Sequence, residues 1–315
     1  ALFLPSGVMA QQIALHVHFN AATGKDRAFV CHYSSHILQH EADVSSHLLN
    51  MQPVVAPAQV GLRVQQPMSF HDITNAIESS TLKPATVIME LPHREIGGKA
   101  TPFADLEQIS AYCRANGIAF HMDGARLWEA LAHYTTETTT SGEKVTQEIL
   151  CALFDSVYMS TYKGLGGMTG ALLMGTAAFI AEARVWLRRY GGNVFTLLPY
   201  AVSAYSSFRN YLAWNSTSAE EVLDGSRATA TYSMKSRLAR LQHVVALLTK
   251  EFEAEASAAN NKALVYFDPP VPQVCMVHIY IRAGLEQVKA AHALSLQETG
   301  VSVFLHIRAA PALTA

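Results

Sequence analysis

The stretch SVYMSTYKGLGGMTGALLMG, residues 156–175, places one lysine between an apolar alternating run and a cluster of glycines. Alternation over 155–162 predicts a β-strand that ends on Lys163, and residues 169–175 predict a further strand. Small residues after Lys163 allow a backbone to approach a planar ligand closely and to adopt positive φ. This layout suits either a salt-bridged lysine or a lysine that forms a Schiff base with a carbonyl compound.

A second stretch upstream, AFHMDGARLWEAL, has the same layout. Residues 118–123 predict a strand ending on Asp123, followed by small residues and Arg126. Ligands of open α/β sheets bind at the carboxyl ends of the strands. We therefore expect Asp123, Lys163 and the segment after Glu90 at one edge of a sheet. From physics alone, the pair fits a salt bridge as well as a Schiff-base lysine facing an acid that holds a ring nitrogen.

The middle third of the chain alternates predicted strands with predicted helices. Residues 85–91 form a short apolar, β-branched run, residues 102–117 have helical spacing before a glycine, and 177–191 form another helix. This order indicates an α/β fold with a mainly parallel sheet covered by helices on both faces. The threonine-rich residues 133–146 read as a polar loop or insertion.

The last third has a different pattern. A polar stretch near residue 225 precedes a long amphipathic helix over 233–256, an apolar strand over 273–281 and a helix over 285–300. We predict a large domain at residues 1–225 and a small C-terminal α+β domain at 226–315.

Composition narrows the function classes. Of 315 residues, 15% are charged and the net charge is −2, which gives no basic field for nucleic acid. The longest apolar runs are too short for a transmembrane helix, so no membrane partner is expected. Four cysteines without a C-x-x-C pair predict reduced thiols in a cytoplasmic protein. The chain opens without methionine, and we expect an N-terminal segment to be missing.

A turn near the start is a candidate phosphate site. In PSGVMAQQIAL, Ser6 and Gly7 precede an amphipathic helix whose exposed N–H groups suit a phosphate. The same residues also fit ordinary helix capping.

Five blocks in this order carry a family resemblance: FLPSGVMAQQIAL, SSHILQHEAD, ELPHREIGGKATP, HMDGARLWEA and STYKGLGGMTGALLMG. From about Leu2 to Tyr200, the chain resembles the pyridoxal-phosphate-dependent threonine aldolase and β-eliminating lyase family of the aspartate-aminotransferase type fold. The resemblance implies fold type I, with a mixed seven-stranded sheet flanked by helices, and pyridoxal 5'-phosphate as cofactor. It also implies a homodimer or homotetramer with active sites at a subunit interface.

The resemblance assigns the cofactor contacts residue by residue. Lys163 matches the Schiff-base lysine, Asp123 the acid that keeps the pyridine nitrogen protonated, and Arg126 the arginine beside the phenolic oxygen. The phosphate turn matches Ser6, Gly7 and Val8. The family commonly has threonine as the third of these, so one hydroxyl donor is lost here.

Two histidines and an acid complete that half of the site. His36 matches the histidine that stacks on the pyridine ring, and it is also a candidate base. His93 matches a second active-site histidine, although Arg94 follows it where the family usually has asparagine, and an exposed loop histidine is the alternative. Glu90 matches a buried acid at the end of the preceding strand.

Other features are weighed against plainer interpretations. The group His40, Glu41 and Asp43 lacks partners at ligand spacing, so a solvated helix face is favoured over a metal site. The family's substrate-binding serine lies in a segment that would precede this chain. Phe195 falls where an arginine is usual, and Arg308 is the candidate for binding the substrate carboxylate.

The resemblance implies a lyase that cleaves the Cα–Cβ bond of a β-hydroxy-α-amino acid and releases glycine and an aldehyde. His93, His36 or water would take the β-hydroxyl proton. A β-eliminating lyase, racemase or aminotransferase-like enzyme stays open because fold does not choose the bond broken. So does an inactive pyridoxal-phosphate-binding protein or fragment.

Overall fold

The computed structural model describes residues 1–56, 66–215, 233–258, 263–300 and 302, and it is built on a seven-stranded sheet. The strands are β1 (Leu2–Leu4), β2 (Ala28–His32), β3 (Gln52–Ala56), β4 (Thr86–Glu90), β5 (Ala119–Gly124), β6 (Ser156–Ser160) and β7 (Ala171–Gly175). Their order across the sheet is β1-β7-β6-β5-β4-β2-β3. The five strands β2, β3, β4, β5 and β6 are mutually parallel, whereas β7 is antiparallel to both β6 and β1. The alternation of strands and helices predicts the mainly parallel sheet, and the family resemblance implies its mixed seven-stranded form.

Helices cover both faces of the sheet. They are α1 (Gly7–Ala21), α2 (His36–Gln39), α3 (Val44–His47), α4 (Phe70–Ser79), α5 (Phe103–Ala115), α6 (Leu127–Tyr134), α7 (Gln147–Cys151), α8 (Ala177–Arg189), α9 (Leu198–Asn215), α10 (Met234–Ala258) and α11 (Leu285–Thr299). Helices α1 and α8 pack on one face, and α4, α5 and α6 pack on the other. Across the described ranges, no helix combines the length and apolarity needed to cross a bilayer.

Strand β6 contributes side chains to the hydrophobic cores on both faces of the sheet. Val157 and Met159 are buried in the core under α4, α5 and α6, whereas Tyr158 is buried in the core under α1 and α8. Successive strand side chains point to opposite faces, so a central strand with two covered faces is apolar throughout. Asp123 pairs with Tyr158 across β5 and β6, which places its side chain on the α1 face.

Strand directions bring the predicted site residues to one edge. Because β1 is antiparallel to β7 and β7 is antiparallel to β6, β1 runs in the same direction as β6. The ends of β1, β4, β5 and β6 therefore lie at the same edge of the sheet. The turn at Ser6, the acids Glu90 and Asp123, and the loop holding Lys163 all follow these ends.

The structure corrects the expected position of Lys163. Strand β6 ends at Ser160, three residues before the lysine, because its pairing with β7 stops at Ser160 and Ala171. The loop between them is closed by hydrogen bonds from the Thr161 amide to the Gly170 carbonyl (3.1 Å) and from the Gly167 amide to the Thr161 carbonyl (2.9 Å). Lys163 therefore lies in a structured loop.

The C-terminal part carries a second, two-stranded antiparallel sheet of β8 (Val265–Asp268) and β9 (His278–Ile281). The strand predicted over 273–281 is thus shorter than expected. The Lys99 ammonium lies 2.7 Å from the Asp268 carboxylate, and Met234 of α10 joins the main core. The predicted boundary near residue 225 lies outside the described residues, and the domain division stays a prediction.

Candidate active site

A cavity opens at the shared edge of the sheet, beside the first turn of α1. Its lining contains most of the predicted cofactor residues: Ser6, Gly7, Val8, His36, Glu41, Asp123, Ala125, Tyr158, Tyr162 and Lys163. Six of these were predicted from the sequence. The other four, Glu41, Ala125, Tyr158 and Tyr162, were not predicted, although alternation along β6 places Tyr158 on the face that Asp123 occupies on β5.

The first turn of α1 forms one wall of the cavity. Ser6 caps the helix, because its hydroxyl oxygen accepts a hydrogen bond from the Met9 amide at 3.3 Å. The amide groups of the first helical residues have no carbonyl partner within the helix, and the positive end of the helix dipole adds to their attraction for anions. Gly7 packs so closely against Tyr158 that a Cβ would overlap the tyrosine hydroxyl.

We expect Gly7→Ala to destabilise the protein by about 1–3 kcal/mol, as overpacking of a filled core does. Thermal unfolding of Gly7→Ala, Tyr158→Leu and the double variant checks this. The double variant should be more stable than the sum of the two single changes predicts. Gly284→Ala is the matched control, since Gly284 precedes α11 in an exposed position with negative φ. Additive single changes would contradict the contact.

Asp123 is buried at the end of β5 with both carboxylate oxygens engaged. One oxygen accepts from the Gln11 amide nitrogen at 2.6 Å, and the other accepts from the Ala125 backbone amide at 3.1 Å. Burial and the neighbouring Glu90 raise the pKa of Asp123 to about 6, against the opposing charges of Lys163 and His36. A cationic group placed in the cavity beside this carboxylate would be stabilised.

Lys163 lines the cavity from its loop, partly shielded from water. Burial lowers its pKa, the charge of Asp123 opposes this, and Arg126 acts in the same direction as burial. A lowered pKa increases the neutral fraction of the amine, which is the form that attacks carbonyl carbon.

His36 and Glu41 form a pair that the sequence did not predict. The His36 Nδ1 atom lies 2.9 Å from the Glu41 carboxylate, whose side chain is only 1% exposed. The expected solvated helix face is wrong here, because α2 ends at Gln39 and the chain then turns. Ala42 and Asp43 adopt positive φ, and this turn directs Glu41 back toward the cavity. The hydrogen bond to Glu41 raises the pKa of His36 against the effect of its burial.

We expect Glu41→Gln to lower the pKa of His36, because glutamine keeps a hydrogen-bonding side chain but removes the charge that stabilises imidazolium. An NMR titration of His36 in the cofactor-free protein measures this. Glu137→Gln is the matched control, since Glu137 pairs with His133 at 2.9 Å elsewhere in the fold. If Glu41→Gln does not change the pKa of His36, the charge of Glu41 does not stabilise the protonated imidazole.

Glu90 and His93 support the cavity from behind and do not line it. Glu90 is buried and accepts hydrogen bonds from the backbone amides of His36 (3.1 Å) and Arg94 (3.0 Å). His93 is 3% exposed, so the alternative of an exposed loop histidine is wrong. Its Nε2 atom lies 3.0 Å from the Ser34 hydroxyl, and burial lowers its pKa to about 4.

The remaining predicted residues lie farther from the cavity or outside the described chain. Arg126 lies 3.9 Å from Glu129 and does not line the cavity. Phe195 is fully exposed in the turn between α8 and α9. Arg308 lies outside the described residues. Within the described ranges, no group of three or more His, Cys, Asp or Glu side chains is placed to hold a metal ion.

Comparison with known proteins gives one family and a consistent set of relatives. A family model described as Beta-eliminating lyase matches residues 1–283. An aldolase of Penicillium aethiopicum is 32% identical over 193 residues, which are 61% of this chain and 45% of the relative. A low-specificity L-threonine aldolase of Candida albicans is 28% identical over 62% of this chain and 48% of the relative. The chain thus spans about half the length of the curated relatives it matches.

Two further relatives bear on fold and reaction. The structure of a Listeria monocytogenes protein assigned as an L-allo-threonine aldolase is 32% identical, with a TM-score of 0.75 over 98% of this chain and 73% of that chain. An alanine racemase of Cochliobolus carbonum is 29% identical over 61% of this chain and 46% of the relative. The two names describe cleavage at different bonds of an amino acid.

Proposed function

We propose, from the premise that the chain belongs to the beta-eliminating lyase family, that it is a pyridoxal-phosphate-dependent aldehyde-lyase. It would cleave the Cα–Cβ bond of a β-hydroxy-α-amino acid and give glycine and an aldehyde, as a threonine aldolase does. Family membership and the Listeria structure confirm the predicted resemblance and fold type I. The approach of Asp123, Lys163 and the first turn of α1 to one cavity supports pyridoxal-phosphate chemistry best, and the threonine aldolase relatives support the choice of the Cα–Cβ bond.

The residues present fit the cofactor. Ser6 and the amides of Gly7 and Val8 suit its phosphate, because a helix N-terminus offers free N–H groups. The buried carboxylate of Asp123 suits a protonated pyridine nitrogen, and the amine of Lys163 suits the aldehyde carbon. Gly7 matters here too, because it has no Cβ and a Cβ at this position would overlap Tyr158. When bound, pyridoxal phosphate supplies an electron sink for the bond that breaks.

The remaining roles follow from position and charge. His36 would contact the ring face, and its Nε2 atom would take the β-hydroxyl proton, since Glu41 engages Nδ1. Glu90 would hold the backbone of His36 and Arg94 in place. His93 as a second base, Arg126 beside the phenolic oxygen and Arg308 on the substrate carboxylate stay predictions.

A second reaction is supported by the racemase relative. In a racemase, β-eliminating lyase or aminotransferase-like enzyme, Lys163 would remove the Cα proton, and no β-hydroxyl base would be needed. The free amine of a lysine with lowered pKa suits that role.

An aldehyde-release assay on the cofactor-loaded protein separates the two. The panel contains threonine, allo-threonine and larger β-hydroxy-α-amino acids of both Cα configurations, with alanine racemisation followed in parallel. Equal amounts of glycine and aldehyde are expected from at least one member. Racemisation without aldehyde would replace the aldolase assignment, and a loaded protein that alters no amino acid would support only cofactor binding.

We also propose a cytoplasmic homodimer or homotetramer acting on a small amino acid. Four unpaired cysteines support a reducing compartment. Exposed apolar side chains at helical spacing on α9 support a subunit contact: Leu198, Val202, Tyr205 and Leu212. Sedimentation of the purified protein tests the assembly, and a monomer at micromolar concentration would contradict it.

A further inference from the structure

A row of buried polar side chains extends from Asp123 away from the cavity, under α1. Gln11 bonds Asp123 at 2.6 Å, and the other end of its amide lies 2.6 Å from His121 Nε2. His121 Nδ1 lies 2.6 Å from the Ser156 hydroxyl, which lies 2.6 Å from His18 Nε2. We name these four residues, Gln11, His121, Ser156 and His18, the buried relay. Each is at most 8% exposed, so every group depends on its neighbour for hydrogen bonding.

The positions of the relay residues follow from strand and helix periods. His121 and Asp123 are two residues apart on β5, so both point to the α1 face. Ser156 is the β-pairing partner of His121 and points the same way. Gln11 and His18 are seven residues, or two turns, apart on α1 and therefore lie on one side of that helix.

The hydrogen bonds have one direction when Asp123 is ionised. A carboxylate only accepts, so Gln11 must present its NH₂ group to Asp123 and its oxygen to His121. His121 then donates from Nε2 and accepts at Nδ1 from the Ser156 hydroxyl. Ser156 in turn accepts from His18 Nε2, so all four donors point toward Asp123.

Protonation of Asp123 at Oδ2, the oxygen that meets Gln11, would demand the opposite arrangement. The carboxylic acid would donate to the Gln11 oxygen, the amide nitrogen would donate to His121 Nε2, and both histidines would have to change tautomer. The relay is therefore a directional array whose orientation is tied to the charge of Asp123. Burial lowers the pKa of His121 to about 3 and of His18 to about 4, so both rings are neutral at physiological pH.

We propose that the buried relay is a positioning device that holds Asp123 ionised and oriented, and thereby keeps the cofactor's ring nitrogen protonated. This inference rests on the proposed cofactor function. The relay is needed because Asp123 is desolvated beside a second buried acid, Glu90. Other groups facing Asp123 are Lys163 and His36, whose charges also favour the carboxylate, and Tyr158, which β6 places on the same face. The buried acid Glu41 lines the same cavity and its charge disfavours the carboxylate.

Nitrogen-15 NMR of the histidines in the cofactor-free protein tests the direction of the relay. At pH 7.5, His121 and His18 are expected as neutral rings protonated at Nε2. In Asp123→Asn, the asparagine can present either oxygen or nitrogen to Gln11, so the single tautomer of His121 should give way to a mixture. A proton on Nδ1 of His121 in the unsubstituted protein would overturn the proposal, whether or not the cofactor binds.

The second measurement is the pH titration of ring-nitrogen-labelled pyridoxal phosphate bound to the protein. Gln11→Leu is expected to move loss of the ring-nitrogen proton to lower pH and to weaken cofactor binding about tenfold, as loss of a hydrogen bond to a charged group does. Ser156→Ala removes only one hydroxyl and should leave the ring nitrogen protonated. It also removes the acceptor of His18 Nε2, so His18 should become a mixture of two tautomers. If Gln11→Leu does not fold, the tautomer of His18 in Ser156→Ala tests the direction of the relay, and an unchanged single tautomer would overturn it.

His16→Gln is the matched control for both measurements. His16 is another buried histidine of α1, but it stacks on Trp186 at 3.9 Å on the side away from the relay. Gln11→Leu with bound cofactor and an unchanged ring-nitrogen titration would overturn the relay and leave the proposed function standing. A protein that binds no cofactor in any variant would instead overturn the proposed function.

Discussion

Lys163→Ala is expected to lower aldehyde release by a factor on the order of 10³ or more and to abolish covalent attachment of pyridoxal phosphate. Lys163 lines the same cavity as Asp123, and burial lowers its pKa, which increases the fraction of the neutral, nucleophilic amine. Borohydride reduction of the loaded protein, followed by peptide mapping, should place the cofactor on the peptide that contains Lys163. The variant should give no labelled peptide.

Lys163→Arg is the matched control for charge. Arginine keeps a cation beside Asp123 but is not a nucleophile at neutral pH. If the lysine acts through its amine, Lys163→Arg should be as inactive as Lys163→Ala, although it keeps a positive charge near Asp123. A cofactor that stays borohydride-fixable in Lys163→Ala would contradict both the site and the proposed function.

The meeting of Asp123 and Lys163 was predictable because its causes are local. Alternation over residues 118–123 and 155–162 predicts β5 and β6, and helical spacing between strands predicts parallel neighbours. Parallel strands end at the same edge, so residues just past those ends lie close together. Ser6 capping α1 was equally local, since it depends on contacts within four residues.

The features that the sequence did not predict depend on contacts between residues distant in sequence or on backbone conformations with positive φ. Glu41 returns to the cavity through positive φ at Ala42 and Asp43, and non-glycine residues give no reliable sign of that conformation. Gln11 reads as an ordinary helix residue until β5 brings His121 and Asp123 beneath it. The pairing of β1 with β7 joins residues about 170 positions apart, and no local pattern specifies it.

Asp123→Asn is expected to have opposite effects on catalysis and on the stability of the cofactor-free protein. Without the carboxylate, the ring nitrogen loses its buried counter-charge, and aldehyde release should fall on the order of 10²–10³-fold. The cofactor-free variant, however, should be more stable than the unsubstituted protein above about pH 6. The reason is that ionising a buried carboxylate beside the second buried acid Glu90 costs free energy, which the charges of Lys163 and His36 offset only in part.

The direction of this pH dependence of stability follows from the raised pKa of Asp123, which is about 6 in the folded protein against 3.8 in a model peptide. Below pH 3.8 the acid is neutral in both folded and unfolded chains, and stability from this group is fully present. Between pH 3.8 and about 6, the unfolded chain loses the proton while the folded chain keeps it. The stability that this group contributes therefore falls as pH rises, and it is lost above about pH 6. Thermal unfolding without cofactor should therefore give curves that diverge between pH 4 and pH 7, by about 1–3 kcal/mol.

Asp155→Asn is the control for this change, because Asp155 lies at the other end of β6 and its carboxylate accepts from the Phe120 amide at 2.8 Å. It should leave aldehyde release nearly unchanged. If Asp123→Asn and the unsubstituted protein unfold alike at every pH, the Asp123 carboxylate is not a destabilising buried charge in the cofactor-free protein. The cofactor's cationic ring would then gain nothing from meeting it, and the electrostatic basis of the site would be lost.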